Sequence, residues 1–142
     1  MLALRRPNLY CEHGTAALPD APALRAVRSR SGHISFPPQH YGCQSSGEHG
    51  DDLQDVLITG RGRLRAIATV RISVPPSLPS PYTVVEVALD DGPVVRGLLA
   101  SSQRLPLTAG AVLVTCLEEV SNQTGERVRD LRFQVPPTEA GY

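Results

Sequence analysis

The sequence predicts an all-β chain whose main body is a small five-stranded barrel, and three observations carry that expectation. Apolar residues recur with a period of two over several stretches beyond residue 57, the spacing of a half-buried strand. An Asp91-Gly92 pair lies between two such stretches and is the strongest short-range hairpin signal in the chain. The 13 prolines and 12 glycines in 142 residues punctuate the chain too often for long helices.

The elements follow in order. LRAIATVRISV (64–74) places Leu64, Ala66, Ala68, Val70, Ile72 and Val74 on one face and Arg63, Arg65, Thr69, Arg71 and Ser73 on the other, which makes it the first strand. PPSLPSP (75–81) breaks it and forms a long first loop. YTVVEVALD (82–90) and PVVRGLLA (93–100) flank the Asp91-Gly92 turn as second and third strands. After the irregular connector SSQRLPLTAG, AVLVTCLEEV (111–120) is the fourth, with Glu118-Glu119 as a strand end meeting solvent. VRDLRFQV (128–135) is the fifth, alternating Leu131, Phe133 and Val135 against Asp130, Arg132 and Gln134. A long first loop, a hairpin from second to third and an irregular connector to the fourth match the Greek-key barrel called the OB-fold; a flat meander or half sandwich is the competing topology.

Ahead of the barrel (57–142) the pattern changes. Residues 1–23 show no periodicity and read as an extended arm, with a short helix expected from about Ala21 to Val27. Residues 24–56 contain a knuckle rich in Gly, Ser, Pro and His, with too few aliphatics to form a core.

Charge narrows the function classes. The 14 basic residues, all arginine, balance 14 acidic ones, so no long-range field draws the chain to phosphate backbones or to an anionic membrane. Three cysteines without a vicinal pattern suggest a reducing setting, and the start MLALRRPNLYCEHG has no apolar core of signal length. A cytoplasmic protein that neither spans nor binds a membrane is expected.

The ordered combination Arg28-Ser29-Arg30-Ser31-Gly32, Phe36-Pro37-Pro38, Tyr41-Gly42-Cys43-Gln44-Ser45-Ser46-Gly47 and Gly60-Arg61-Gly62 resembles a thiolase-associated family in which a rubredoxin-like zinc ribbon precedes an OB-fold. The resemblance spans roughly residues 24–135. It implies an all-β chain with a five-stranded OB-fold Greek-key barrel preceded by a degenerate zinc-ribbon-like knuckle and an extended N-terminal arm. The departure concerns the metal. The matching ligand positions are Arg28, Ser31, Cys43 and Ser46, and one thiolate cannot hold zinc against water, so zinc is expected to be absent. The knuckle would then rest on glycine turns and on hydrogen bonds from Ser31 and Ser46. An alternative ligand set, Cys11, His13, His33, His40 and Cys43, has plausible spacing but needs the arm to fold back.

The resemblance implies a small subunit that is not catalytic alone. It would bridge thiolase-like or ketoacyl-synthase-like large subunits in a multi-component acyltransferase or thiolase complex, of the kind that acetylates acylphloroglucinols in secondary metabolism, with possible contact to the acyl-CoA substrate. The residues agree with this: no elbow nucleophile, phosphate loop or isolated carboxylate pair appears, and no cofactor site is legible. Partner contacts are expected at Leu9, Tyr10, Phe36 and Tyr41, with Leu2 and Leu4 in support, because aromatic anchors in desolvated pockets dominate interfaces. Arg61, Arg63, Arg65 and Arg71 share parity, giving either a cationic stripe for a partner or for coenzyme A phosphates, or a solvated strand face. The other function class is a single-stranded nucleic-acid binder. It is disfavoured by an aromatic content of 4% and a formal charge of zero.

Overall fold

A computed structural model describes residues 2–38, 53–71, 81–104, 106–122 and 124–137. Among the described residues eight strands fall in two sheets and no α-helix occurs. β1 (Leu24–Ser29), β2 (Ile34–Ser35) and β3 (Leu53–Ile58) form an antiparallel sheet in the order β2-β1-β3. β4 (Arg61–Val70), β5 (Tyr82–Leu89), β6 (Val94–Leu98), β7 (Val112–Ser121) and β8 (Arg127–Gln134) form the second, in the order β6-β5-β4-β7-β8. The meander β4-β5-β6 and the pair β7-β8 join through β4, and β6 returns to β8. Leu99 forms a parallel bridge with Phe133, and the Ala100 N–H donates to the Phe133 carbonyl at 2.8 Å. That contact nearly closes a five-stranded OB-like barrel.

The barrel begins as the alternation requires. Gly62 and Leu64 are buried, and Arg61 and Arg63 are exposed between them. The pattern then changes, because the β4–β5 register shifts between Leu64 and Ala66. Leu64 pairs with Val87 while Ala66 pairs with Glu86, so Arg65 is the extra residue of a bulge. Beyond it the parity of Leu64 passes to Ile67 and Thr69, opposite Val85 and Thr83, though Ile67 is itself 37% exposed, and the exposed Ala66 and Ala68 fall on the other face. The single alternating face expected from Leu64 to Val74 therefore ends at Leu64. Ile72 and Val74 lie outside the described residues.

The arm, expected to be extended, runs through turns, bends and isolated bridges over residues 2–23, and it packs on its own domain. Cys11 N–H donates to the Ala23 carbonyl, Ala23 N–H to the His13 carbonyl, and Arg25 N–H to the Leu9 carbonyl. These bonds lay residues 9–13 beside the start of β1. Further out, Leu4 bridges Arg129 on β8 in parallel. The helix expected from Ala21 to Val27 is not formed, since Leu24–Ser29 is a strand paired on both edges. Seven residues headed by an Ala-Pro pair are too few to nucleate a helix, whereas β3 along one edge, and β2 and the arm along the other, supply hydrogen-bond partners to an extended segment. β3 ends at Ile58, slightly past the boundary expected at residues 56/57, so the ribbon sheet hands over to the barrel through Thr59 and Gly60.

One core unites these parts. Phe133, Leu113, Val85 and Val87 of the barrel cluster with Leu24, Ala26 and Ile58 of the small sheet and with Tyr10 of the arm. Gly60 shows why the junction needs glycine: an added Cβ would land on the Thr115 side chain and the Pro22 carbonyl. Thr115 Oγ1 instead donates to Pro22 O at 2.7 Å, fixing the end of the arm over the end of the barrel.

Candidate functional site

The expected partner residues scatter. Tyr10 is corrected outright as a surface anchor. It is 2% exposed, sits in the chain's own core, and its hydroxyl donates to Asp130 Oδ1 at 2.8 Å. Leu9 and Phe36 are half-buried against the same core. Tyr41 lies outside the described residues. The arginine stripe does not form one face either. Arg61 pairs with Asp90 at 3.1 Å, and Arg63 Nη1 donates to Gly110 O at 3.0 Å on the same outward side. Arg65 occupies the bulge, and Arg71 is exposed just past the end of β4. The bulge, which redirects every later side chain of the strand, is the cause.

Of the four degenerate ligand positions, Arg28 and Ser31 are described and Cys43 and Ser46 are not. Arg28 is exposed on β1, opposite Ile34 and Gln54. The knuckle turn is tied by Ser29: its hydroxyl oxygen accepts from the His33 N–H at 3.1 Å and meets the Ser31 hydroxyl at 2.9 Å. Gly32 at φ 94° supplies the left-handed residue, and its N–H donates to the Ser29 carbonyl. Of the alternative ligand set, Cys11, His13 and His33 are described, and no group of three or more His, Cys, Asp or Glu side chains suited to a metal ion occurs among the described residues.

The most organised polar feature was not expected. Asp130 and Arg132, set on the face opposite Leu131 and Phe133 in the strand alternation, are 6% and 4% exposed. Asp130 accepts from Tyr10, from Arg5 Nη1 at 3.0 Å and from Arg132 Nη1 at 2.8 Å. Arg132 Nε also lies 3.6 Å from Glu118 Oε2. Glu118 is therefore half-buried in the middle of β7, opposite Asp130, and is not a strand end; its Oε1 accepts from the Ser101 N–H and hydroxyl. Burial pushes the Asp130 carboxyl up, but the hydrogen bonds from Arg132, Tyr10 and Arg5 outweigh it and hold it below the usual carboxylate range. Burial and then the Asp130 bond push the Tyr10 hydroxyl up to about 12. The one sequence signal was an Asp-x-Arg spacing on a strand, which puts opposite charges on one face.

This clasp has a backbone consequence. Asn122 N–H donates to Glu126 O, so the β7–β8 register turns the peptide groups of Arg129, Leu131 and Phe133 toward the outer edge of β8. Ala3 and Arg5 take the groups of Arg129, and Ala100 takes the Phe133 carbonyl. Between them, the Leu131 N–H donates to Asp130 Oδ1 at 2.9 Å and its carbonyl accepts from Arg132 at 3.0 Å. Side chains thus replace the strand partner, and β6 and β8 splay apart there.

The splayed seam opens a groove of about 730 Å³. Leu24, Val95 and Phe133 form its deep, buried part, and Leu9, Phe36 and Leu98 its half-buried sides. Four arginines reach it: Arg5, Arg6, Arg96 and Arg132. Its volume and apolar lining match those of small-molecule sites. Cys116 does not line it. Burial and the neighbouring Glu118 push that thiol up to about 11, which leaves it protonated and unreactive near neutral pH.

No family model matches this chain, and no curated protein matches it either. Among solved structures, the chain is similar to one described as "Ltp2-ChsH2(DUF35) aldolase", with a TM-score of 0.57 and 20% sequence identity, covering 78% of this chain and 84% of that one. At that identity the likeness establishes the fold. No helix among the described residues is long and apolar enough to cross a membrane.

Proposed function

We propose that this chain is a non-catalytic accessory subunit of a thiolase-superfamily complex, one that organises thiolase-like or ketoacyl-synthase-like large subunits for acyl or C–C bond chemistry. The observation that carries the reading is the pairing of an OB-like barrel with a preceding small sheet, on a fold shared over most of its length with a DUF35-containing aldolase assembly. The Gly32, Phe36-Pro37-Pro38 and Gly60-Arg61-Gly62 landmarks fall at the knuckle turn, after β2 and at the entry to the barrel, which supports the reading. An acetyltransferase acting on an acylphloroglucinol-like acceptor is the finer assignment. It rests on the sequence motifs.

Affinity purification from the native host, with mass spectrometry of what co-elutes, tests the reading. A thiolase-like protein in near-stoichiometric amount is the expected result, and a monomer indifferent to every such protein would overturn it. Arg63 and Arg65 remain exposed on β4, and Arg65 makes no ion pair among the described residues. Arg63→Glu with Arg65→Glu should abolish co-purification while leaving the melting midpoint within a few degrees, because exposed charges add little to folding. Retained co-purification would place the interface elsewhere. The reading also leaves the knuckle without metal, since neither Arg28 nor Ser31 can supply a thiolate or imidazole. Elemental analysis should find far less than one zinc per chain, and a value near one would contradict it.

A further inference from the structure

The groove at the β6–β8 seam carries an inference independent of the subunit assignment. Its four arginines are not equivalent. Arg5 and Arg132 are committed to Asp130, and Arg132 also to Glu118. Arg6 and Arg96 are exposed, and no carboxylate among the described residues lies within ion-pair distance of either. Glu86 stands across from Arg96 in the β5–β6 register but forms no ion pair with it. The groove therefore has an apolar interior and two uncommitted guanidinium groups.

The backbone adds a second, independent feature. Leu89 N–H donates to Pro93 O and Leu99 N–H to Thr83 O. The intervening register makes Val95 and Gly97 the residues that bond to β5, and turns the N–H and C=O groups of Arg96 and Leu98 toward the seam. On the facing edge of β8, the Leu131 groups are already taken by Asp130 and Arg132. Donors thus converge on the groove from the Arg6 and Arg96 side chains and from the β6 backbone, with an apolar body beneath them. Carboxylates match a planar guanidinium in geometry, and their bonds to ionised donors are the strong ones.

The geometry points to this groove as a binding site for an amphipathic carboxylate, its apolar body against Leu9, Phe36, Leu98 and Phe133 and its head among Arg6, Arg96 and the β6 amides. Neutral ligands of the same shape lose the head-group bonds. Polyanions such as single-stranded nucleic acid lose the apolar interior.

Decanoate and decanol, each below its micelle concentration, discriminate. Titrated into the full-length protein and followed by calorimetry and by amide chemical shifts, decanoate should saturate one site, with the largest shifts at Arg96, Leu98 and Leu131. Decanol should bind at least tenfold more weakly. Arg6→Gln with Arg96→Gln, both at exposed positions, should reduce decanoate affinity to that of decanol while keeping the wild-type spectrum elsewhere. Failure of decanoate to bind, equal affinity for the alcohol, shifts confined to another surface, or full retention of the preference by the double variant would each overturn the assignment. None of these outcomes depends on whether a thiolase-like partner is found.

Discussion

Asp130→Ala should lower the stability of this protein by about 3 kcal/mol, a fall of roughly 10 °C in melting midpoint, and should release the N-terminal arm. The substitution removes the nearer carboxylate of the Arg132 guanidinium, 4% exposed, leaving it only Glu118 at 3.6 Å, and it strips Tyr10 and the Leu131 N–H of their acceptor. A buried charge that loses its best partner is among the most destabilising lesions a single change can make. The lower part of the usual range applies because the Arg5 side chain keeps 27% of its exposure, so water screens that limb of the cluster. Urea denaturation gives the magnitude, and hydrogen exchange at Arg5 and Arg129 reports whether the arm has come away. Protection there equal to wild type would show that the backbone bonds to Arg129 and the apolar contacts hold the arm without Asp130.

The same carboxylate sets an acid limit. Its folded-state pKa is depressed, so the stabilisation is fully present above the unfolded value near 4 and is lost as pH falls through the lower, folded one. Melting midpoints measured downward from pH 5 should drop more steeply for the wild type than for Asp130→Asn, which has no proton to take up. Parallel curves would assign the acid sensitivity to other carboxylates.

Phe133→Ala should cost about 3–5 kcal/mol, the largest effect of any core truncation in the barrel. Phe133 is 1% exposed, fills the centre of the core, and through its backbone receives the strand that closes the sheet. Gly97 supplies the internal control. A Cβ at that position would stand 2.8 Å from Phe133 Cε2 and 3.0 Å from Cδ2, closer than side chains approach. Gly97→Ala should therefore destabilise the wild type by about 1–3 kcal/mol and cost much less in the Phe133→Ala background. Additive costs would mean that glycine is kept at 97 for its backbone and not for the ring. Because Phe133 and Gly97 both line the groove, the pair also shows that the seam is shaped by packing and is not left over from it.

How far the sequence could be read depends on the range of the interactions involved. Strand periodicity, the Asp91-Gly92 hairpin and the Pro-rich break after the first barrel strand are local signals, and the barrel strands and their Greek-key order follow from them. The helix assigned to Ala21–Val27 failed because a short apolar run has no local property that separates strand from helix; the neighbours β2 and β3 decided it. The arginine stripe failed at one residue. A bulge at Arg65 leaves composition and spacing untouched, yet it turns every later side chain to the other face.

By itself the sequence determined the class of fold, the order of the barrel strands and the absence of a strong net charge, because period, turn chemistry and charge are properties of neighbouring residues and of sums. Only the tertiary structure decided that Tyr10 is an interior residue, that Asp130 and Arg132 are buried together, and that a groove opens where they occupy the edge of β8. Those outcomes depend on which segment lands on which face. The arm that covers Asp130 comes from more than a hundred residues away, and no local pattern announces where so distant a segment will settle.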